Sequence, residues 1–183
     1  MPNHILNQLN ISGNEKQILK LREQIKGDDN NEKCEDDDIL LIDFEKIIPM
    51  PETEKDNWYN WRLENWGTKW NAYHFVDEPS DHGFIQFDTA WSTPKPIIKK
   101  LSELYPTLTF YVEYADEDLG SNCGTYQYKN GKLLKETEED LEFACNLQGL
   151  DYFVCEKCGE GSTDFRDEDD EKICDECKSN VWS

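Results

Sequence analysis

Residues 84–114 read FIQFDTAWSTPKPIIKKLSELYPTLTFYVEY, and the succession of patterns in this stretch decides the fold. Phe84 to Phe87 alternates as a strand does. Thr93-Pro94 opens a helix, because proline's fixed φ suits a first turn whose N–H has no partner in any case. Ser92 or Thr93 is placed to cap it. Ile97, Ile98, Leu101 and Leu104 follow at helical spacing and form its apolar face. Leu108 to Tyr114 then alternates strictly, the mark of a strand with one buried face.

Working outward, the N-terminal side repeats the theme. Ile5, Leu6, Leu9 and Ile11 read as a strand ending at Ser12-Gly13, and Ser12 or Asn14 can cap a helix carrying Ile18, Leu19, Leu21, Arg22 and Ile25, with Gly27 as its stop. Residues 28–38 have almost nothing to bury and read as a mobile loop. Ile39 to Phe44 resembles a buried strand, which Ile47-Ile48-Pro49-Met50-Pro51 leaves, since proline cannot donate to a central ladder. A polar, Trp-bearing excursion interrupted by Gly67 fills 52–70, and Ala72 to Val76 alternates as a strand before the turn at Asp81-His82-Gly83. Downstream, Tyr126-Gln127-Tyr128 and Lys132-Leu133-Leu134 flank Asn130-Gly131, a favourable hairpin turn. Strand, helix, strand, strand, helix, strand is the split βαβ, or ferredoxin-like, order: an α+β antiparallel sheet with two helices on one face.

The organisation expected is a ferredoxin-like domain over 1–135 with a Trp-rich insertion at 52–70, an acidic connecting helix over 136–150 containing Leu141, Phe143, Ala144 and Leu147, and a small cysteine-bearing unit over 151–183. In that last unit Cys155, Cys158, Cys174 and Cys177 form two C-x2-C pairs fifteen residues apart, the spacing of four ligands around one tetrahedral zinc. Gly159 permits the turn of the first knuckle. Four thiolates leave no open position, so the expectation is one structural zinc per chain in a zinc ribbon; a redox dithiol pair is the alternative. The other cysteines, Cys34, Cys123 and Cys145, are an odd set. With no secretory signal and no apolar run able to span a bilayer, they point to a reducing, cytoplasmic setting.

Net charge is −21, of which residues 136–183, with 4 basic and 16 acidic side chains, supply −12. Such a field opposes phosphate contact and excludes direct nucleic-acid or anionic-membrane binding; it suits a basic protein, or the basic surface of a host complex, as partner. Asp167, Glu168, Asp169, Asp170 and Glu171 are the candidate acidic contact surface, solubility being the plainer reading. Trp58, Trp61, Trp66 and Trp70 with Arg62 and Lys69 form the candidate binding surface. They could stack a base or a nucleotide, meet a protein, or simply close one end of the sheet as a buried lid with Arg62 paired to Glu64, Asp88 or a carbonyl.

Two further constellations carry polar groups that chemistry could use. Thr89, Ser92 and Thr93 sit at a helix start where an anion could dock, although capping explains them with less. Residues 114–124 gather Asp116, Glu117, Asp118 and Cys123, formally a thiol to set beside His4, His74 or His82, or carboxylates for a cation; no nucleophile or EF-hand motif accompanies them, and a solvated turn is the simpler account.

Several segments together resemble a known family: Asn3-His4 through Gly13, Ile48-Pro49-Met50-Pro51, the string Trp58-Tyr59-Asn60-Trp61-Arg62-Leu63-Glu64-Asn65-Trp66-Gly67-Thr68-Lys69-Trp70, and Phe87-Asp88-Thr89-Ala90-Trp91-Ser92-Thr93-Pro94. They are similar to the YubB-type ferredoxin-like proteins carried by phages and plasmids. The resemblance spans about 1–135 and implies a ferredoxin-like fold in a cytosolic accessory protein of a mobile element. It brings no catalytic residues, and the acidic cysteine unit is an addition to the common pattern. The function expected is non-enzymatic protein contact, extending to counter-defence or mimicry of nucleic acid. A small-ligand or nucleotide module using the Trp-rich segment, and an enzyme using the 116–123 loop, are the alternatives.

Overall fold

The computed structural model describes residues 3–27, 40–78, 80–163, 173–174 and 176–177. The loop expected over 28–38, Ile39, Cys34 and the acidic run Asp167 to Glu171 lie outside the described residues.

Strand β1 (His4–Ser12) buries Ile5, Asn7, Leu9 and Ile11 on one side, as its period of two requires. Helix α1 (Glu15–Ile25) is capped by Asn14, whose side chain accepts the Gln17 N–H, and it buries Ile18, Leu21 and Ile25. Leu19 stands exposed. Gly27 follows α1 without the left-handed turn that the sequence suggested. Its backbone passes so close to Leu40 that an added Cβ would lie 2.6 Å from that residue's own, so glycine serves approach here rather than chirality.

The strand expected from Ile39 to Phe44 does not form. Residues 40–43 are irregular and run into a one-turn helix, α2 (Phe44–Ile47), capped by Asp43. Leu40, Ile42, Phe44 and Ile47 are buried all the same. An apolar run records burial, not conformation. Here Asn71 fixes the alternative, accepting the Phe44 N–H and donating to Asp43 Oδ1. A 3₁₀ turn (Glu52–Asn57) leads into α3 (Trp58–Asn65), which Gly67 at φ +79° follows.

Next come β2 (Tyr73–Asp77), β3 (Phe84–Ala90), α4 (Lys95–Leu104) and β4 (Thr109–Asp116). The α4 face buries Ile97, Ile98 and Leu101, but Leu104 is 55% exposed at its frayed end. No side chain caps α4; Pro94 stands at its N-cap and Pro96 in its first turn. The hairpin β5 (Gly124–Lys129) and β6 (Lys132–Glu138) turns at Asn130 (φ +49°) and Gly131 (φ +71°), the two positive φ values of a type I′ turn. Helix α5 (Leu141–Gln148) is capped by Asp140 and stopped by left-handed Gly149.

All strand pairs of the main sheet are antiparallel, in the order β2-β3-β1-β4-β5-β6. Its first four members reproduce the ferredoxin-like order, and the β5–β6 hairpin extends it along β4. The core lies between one face of this sheet and α1, α2 and α4, with Leu9, Ile85, Phe87, Phe110, Val112 and Tyr126 on the sheet side. Burial of each large side chain there contributes about 1.5–3 kcal/mol. The opposite face stays partly open. Gln8 and Gln86 bond across it, and α5 covers one end through Ala144 and Leu147 on Ala115. A separate two-stranded ribbon, β7 (Phe153–Val154) with β8 (Gly161–Ser162), carries the first cysteine pair.

Candidate functional site

At the C-terminal ribbon the sulfurs of Cys155, Cys158, Cys174 and Cys177 all lie within 4.8 Å of one another. Cys158 and Cys174 Sγ are 3.9 Å apart, close to the roughly 3.8 Å between ligands in a tetrahedron of Zn–S bonds of about 2.3 Å, and nearly twice a disulfide bond. The β7–β8 pairing builds the first knuckle. Cys155 N–H donates to Glu160 O, and the Gly159 N–H returns to Cys155 O at 2.8 Å, with Gly159 at φ +77°. From the second pair, the Cys174 N–H points at Cys155 Sγ at 3.4 Å and favours its thiolate form. The donor set and spacing fit a metal ion held by four thiolates.

The Trp-rich segment divides. Trp66 is fully buried, with its Nε1–H donating to Ile48 O at 2.9 Å and its ring edge-on to Phe44 and Trp61. Trp61 is half-buried against the core. Trp58 and Trp70 remain 37% and 36% exposed, so a lid made of all four indoles is not what forms. Helix α3 buries none of its own residues fully: Trp61 in its middle packs on the core, Trp58 at its first position stays at the surface, and Trp70 lies beyond its end. Arg62 sits 4.7 Å from the Trp66 ring and 5.3 Å from the Trp58 ring, with Glu45 at 3.9 Å as its acidic neighbour, in place of Glu64 or Asp88. Burial draws its guanidinium below the ordinary value, with Glu45 pulling the other way.

Around this segment the fold assembles more aromatic surface than the local string contains. Tyr59 is edge-on to both Trp58 and Trp91, and Lys69 lies 4.5 Å from the Trp70 ring and 4.9 Å from that of Trp91. Trp58, Tyr59, Trp70 and Trp91 are each more than a third exposed. Trp91 adopts φ +73°, a conformation that is an outlier for a bulky side chain. Its backbone is held there by Asn3, whose O accepts the Trp91 N–H, and by Asn122, whose Nδ2 donates to Trp91 O. Trp91 sits in the Phe87 to Pro94 segment, and only the fold brings it beside α3.

The hydroxyls at and just beyond the end of β3 are spent internally. Thr89 accepts from buried Asn7 and donates to Ser92 O; Ser92 donates to Gly67 O; Thr93 meets the Tyr126 hydroxyl at 2.8 Å. Neither Ser92 nor Thr93 caps α4, as was expected of them, because each has a tertiary partner at hand. In the 114–124 loop Asp116 is buried and accepts from Asn3, the Asp118 N–H and Asn122, which makes it the lock of the turn. Cys123 is buried beside Ala115 and Ala144, its thiol on Glu139 O at 3.1 Å. Burial, with Asp140 next, pushes it up and keeps it protonated, a poor state for a nucleophile.

His4 and His74, formal partners for Cys123 in the sequence, lie apart from it in the fold. They line a cleft of about 630 Å³ on the open sheet face, together with Asp88, Glu117, Gln86 and Gln148. His74 Nδ1 is 3.0 Å from Asp88 Oδ2, and His4 Nδ1 is 3.0 Å from the Tyr73 hydroxyl. Alternation along β1 and β3 was the available signal, since His4, Leu6, Gln86 and Asp88 occupy the positions opposite the buried residues. His82 remains in the turn before β3.

A family model described as "Ferredoxin-like domain in Api92-like protein" matches residues 65–172. Among solved structures the chain is similar to the crystal structure of the protein api92 from Yersinia pseudotuberculosis, at 15% identity and a TM-score of 0.44. That match covers 53% of this chain and 39% of the other, so the chain spans well under half of its length. No curated protein matches the chain.

Proposed function

For a chain that belongs to the family of ferredoxin-like domains in Api92-like proteins, we propose a non-enzymatic role as a zinc-stabilised accessory protein working through protein contact. The observation that carries this reading is the exposed cluster of Trp58, Tyr59, Trp70 and Trp91, with Trp91 held in a strained backbone conformation. Indole and phenol rings dominate the energetics of protein interfaces, and backbone strain is kept where surrounding structure fixes it for use. Zinc on Cys155, Cys158, Cys174 and Cys177 supplies structure rather than chemistry, since four thiolates leave no position for substrate. With a net charge of −21, the favoured partner is a basic protein or the basic face of a host complex, and nucleic acid and anionic membrane are disfavoured. No helix among the described residues is long and apolar enough to cross a membrane. A cytoplasmic setting in a mobile element, with counter-defence or nucleic-acid mimicry as the purpose, rests on the acidity and on the resemblance carried by the Trp58 to Trp70 string. The cleft on the open sheet face favours a second role as a small-ligand binder.

The test uses immobilised full-length protein challenged with host lysate at about 0.1 M and about 0.5 M salt, beside a Trp58→Ala/Tyr59→Ala/Trp91→Ala variant of matched folding. A basic species retained at low salt, released at high salt and lost from the variant is the expected result. Equal retention by the variant removes the aromatic cluster as the contact face.

A further inference from the structure

On the open face of the sheet two imidazoles and two carboxylates, from His4, His74, Asp88 and Glu117, line one cleft. His4 opens β1, His74 lies on the edge strand β2, and Asp88 is near the end of β3. One donor atom from each of these three lies within 4.8 Å of the other two. The 3.0 Å between His74 Nδ1 and Asp88 Oδ2 equals the separation of adjacent ligands, about 3.0 Å, in an octahedral shell with bonds of about 2.1 Å.

The surroundings orient these donors. The Tyr73 hydroxyl on His4 Nδ1 fixes the ring and leaves Nε2 as its free donor, the outer-shell arrangement that metal-bound histidines use. His4 and His74 rings lie nearly parallel, 14° apart with centroids at 6.0 Å. Glu117 accepts the His4 N–H at 3.1 Å and lines the same cleft, adding negative charge. His74 is held at φ +49°, and the pairing of β2 with β3 slips between Tyr73 and Val76. Bulges of this kind re-aim side chains, and a strained histidine is kept where its direction matters. A simple His74–Asp88 ion pair leaves both the strain and the approach of His4 unexplained.

We propose that His4, His74 and Asp88 bind one divalent first-row transition-metal ion, with the positions not taken by protein open to the cleft. Two imidazoles and one carboxylate match zinc, cobalt, nickel or iron(II) and disfavour calcium and magnesium, whose shells are built from oxygen. The site is separate from the thiolate cluster and independent of it.

Cobalt(II) titration of the full-length chain, followed by absorption and by calorimetry, tests this. A thiolate site gives strong sulfur-to-cobalt charge-transfer bands, and a nitrogen–oxygen site gives only weak d–d bands, so the two sites separate spectrally even if both are empty at the start. Wild type should bind one equivalent without charge-transfer intensity. His74→Ala and Asp88→Asn should lose that equivalent while keeping the thiolate signal. Tyr73→Phe should weaken it about ten-fold through the lost outer-shell bond, and His82→Ala should change nothing. His74 is 54% exposed at its side chain, so its truncation leaves folding intact, which a melting curve checks. If wild type shows no such equivalent, or if His74→Ala and Asp88→Asn bind it as wild type does, the proposal is wrong.

Discussion

Truncating Trp66 to alanine tests the split of the Trp-rich segment into a core half and a surface half. Trp66 is fully buried, its ring meets Phe44 and Trp61 with centroids at 5.7 and 5.8 Å, and Arg62 lies over its face. Removing a buried indole costs about 3–5 kcal/mol, and the carbonyl of Ile48 loses its donor as well. Against a total stability of about 5–15 kcal/mol, a loss near 4 kcal/mol is a large share. At about 2–4 °C per kcal/mol for a domain of this size, Tm falls by roughly 8–16 °C. Trp58→Ala, at a position 37% exposed, should cost about 1 kcal/mol or less and shift Tm by less than about 4 °C. Differential scanning calorimetry on both variants reads the contrast. Should Trp66→Ala leave no folded protein, Trp66→Phe gives a graded version, keeping a ring and losing the N–H. Equal small shifts for Trp66→Ala and Trp58→Ala would refute the reasoning, because the core would then not depend on the indole placed at its centre.

Thiol titration in a Cys34→Ala background should find the four tail cysteines protected until a chelator is added, then reactive, with one zinc released per chain. Cys123 and Cys145, whose thiols burial pushes up, should stay unlabelled throughout, and peptide mapping that finds either labelled in folded protein contradicts this. At position 91 the usual order of small residues should invert. Trp91→Gly should be more stable than Trp91→Ala by about 1 kcal/mol, since φ +73° strains any residue with a Cβ, and alanine ahead of glycine in denaturant melts would show that the conformation relaxes. No appreciable affinity for duplex DNA or RNA is expected at physiological salt, and submicromolar binding in a fluorescence titration would overturn that reading of the charge.

Local physics makes much of this molecule legible in its sequence. Period two in Ile5 to Ile11 and Leu108 to Tyr114, period near four in Ile97, Ile98 and Leu101, and the Asn130-Gly131 turn are each set by near neighbours, and their order leaves few arrangements besides the antiparallel sheet observed. The gathering of the four cysteines is equally plain, because two residues between paired cysteines bring both thiols to one side of a tight turn. Where several conformations bury the same side chains, the sequence alone does not choose: residues 40–47 hide Leu40, Ile42 and Phe44 as loop and helix because Asn71, distant in sequence, accepts the Phe44 N–H, while Leu40 O and the Asp43 N–H pair with Gly27 and Ile25. The same limit governs Ser92 and Thr93, local caps by composition, whose hydroxyls have tertiary partners instead. The surface sites were decided only by tertiary structure. Trp91 joins Tyr59, and His4 meets His74 and Asp88, across separations of 32, 70 and 84 residues that no local periodicity encodes, since which strands lie side by side is settled by the closing of the whole core.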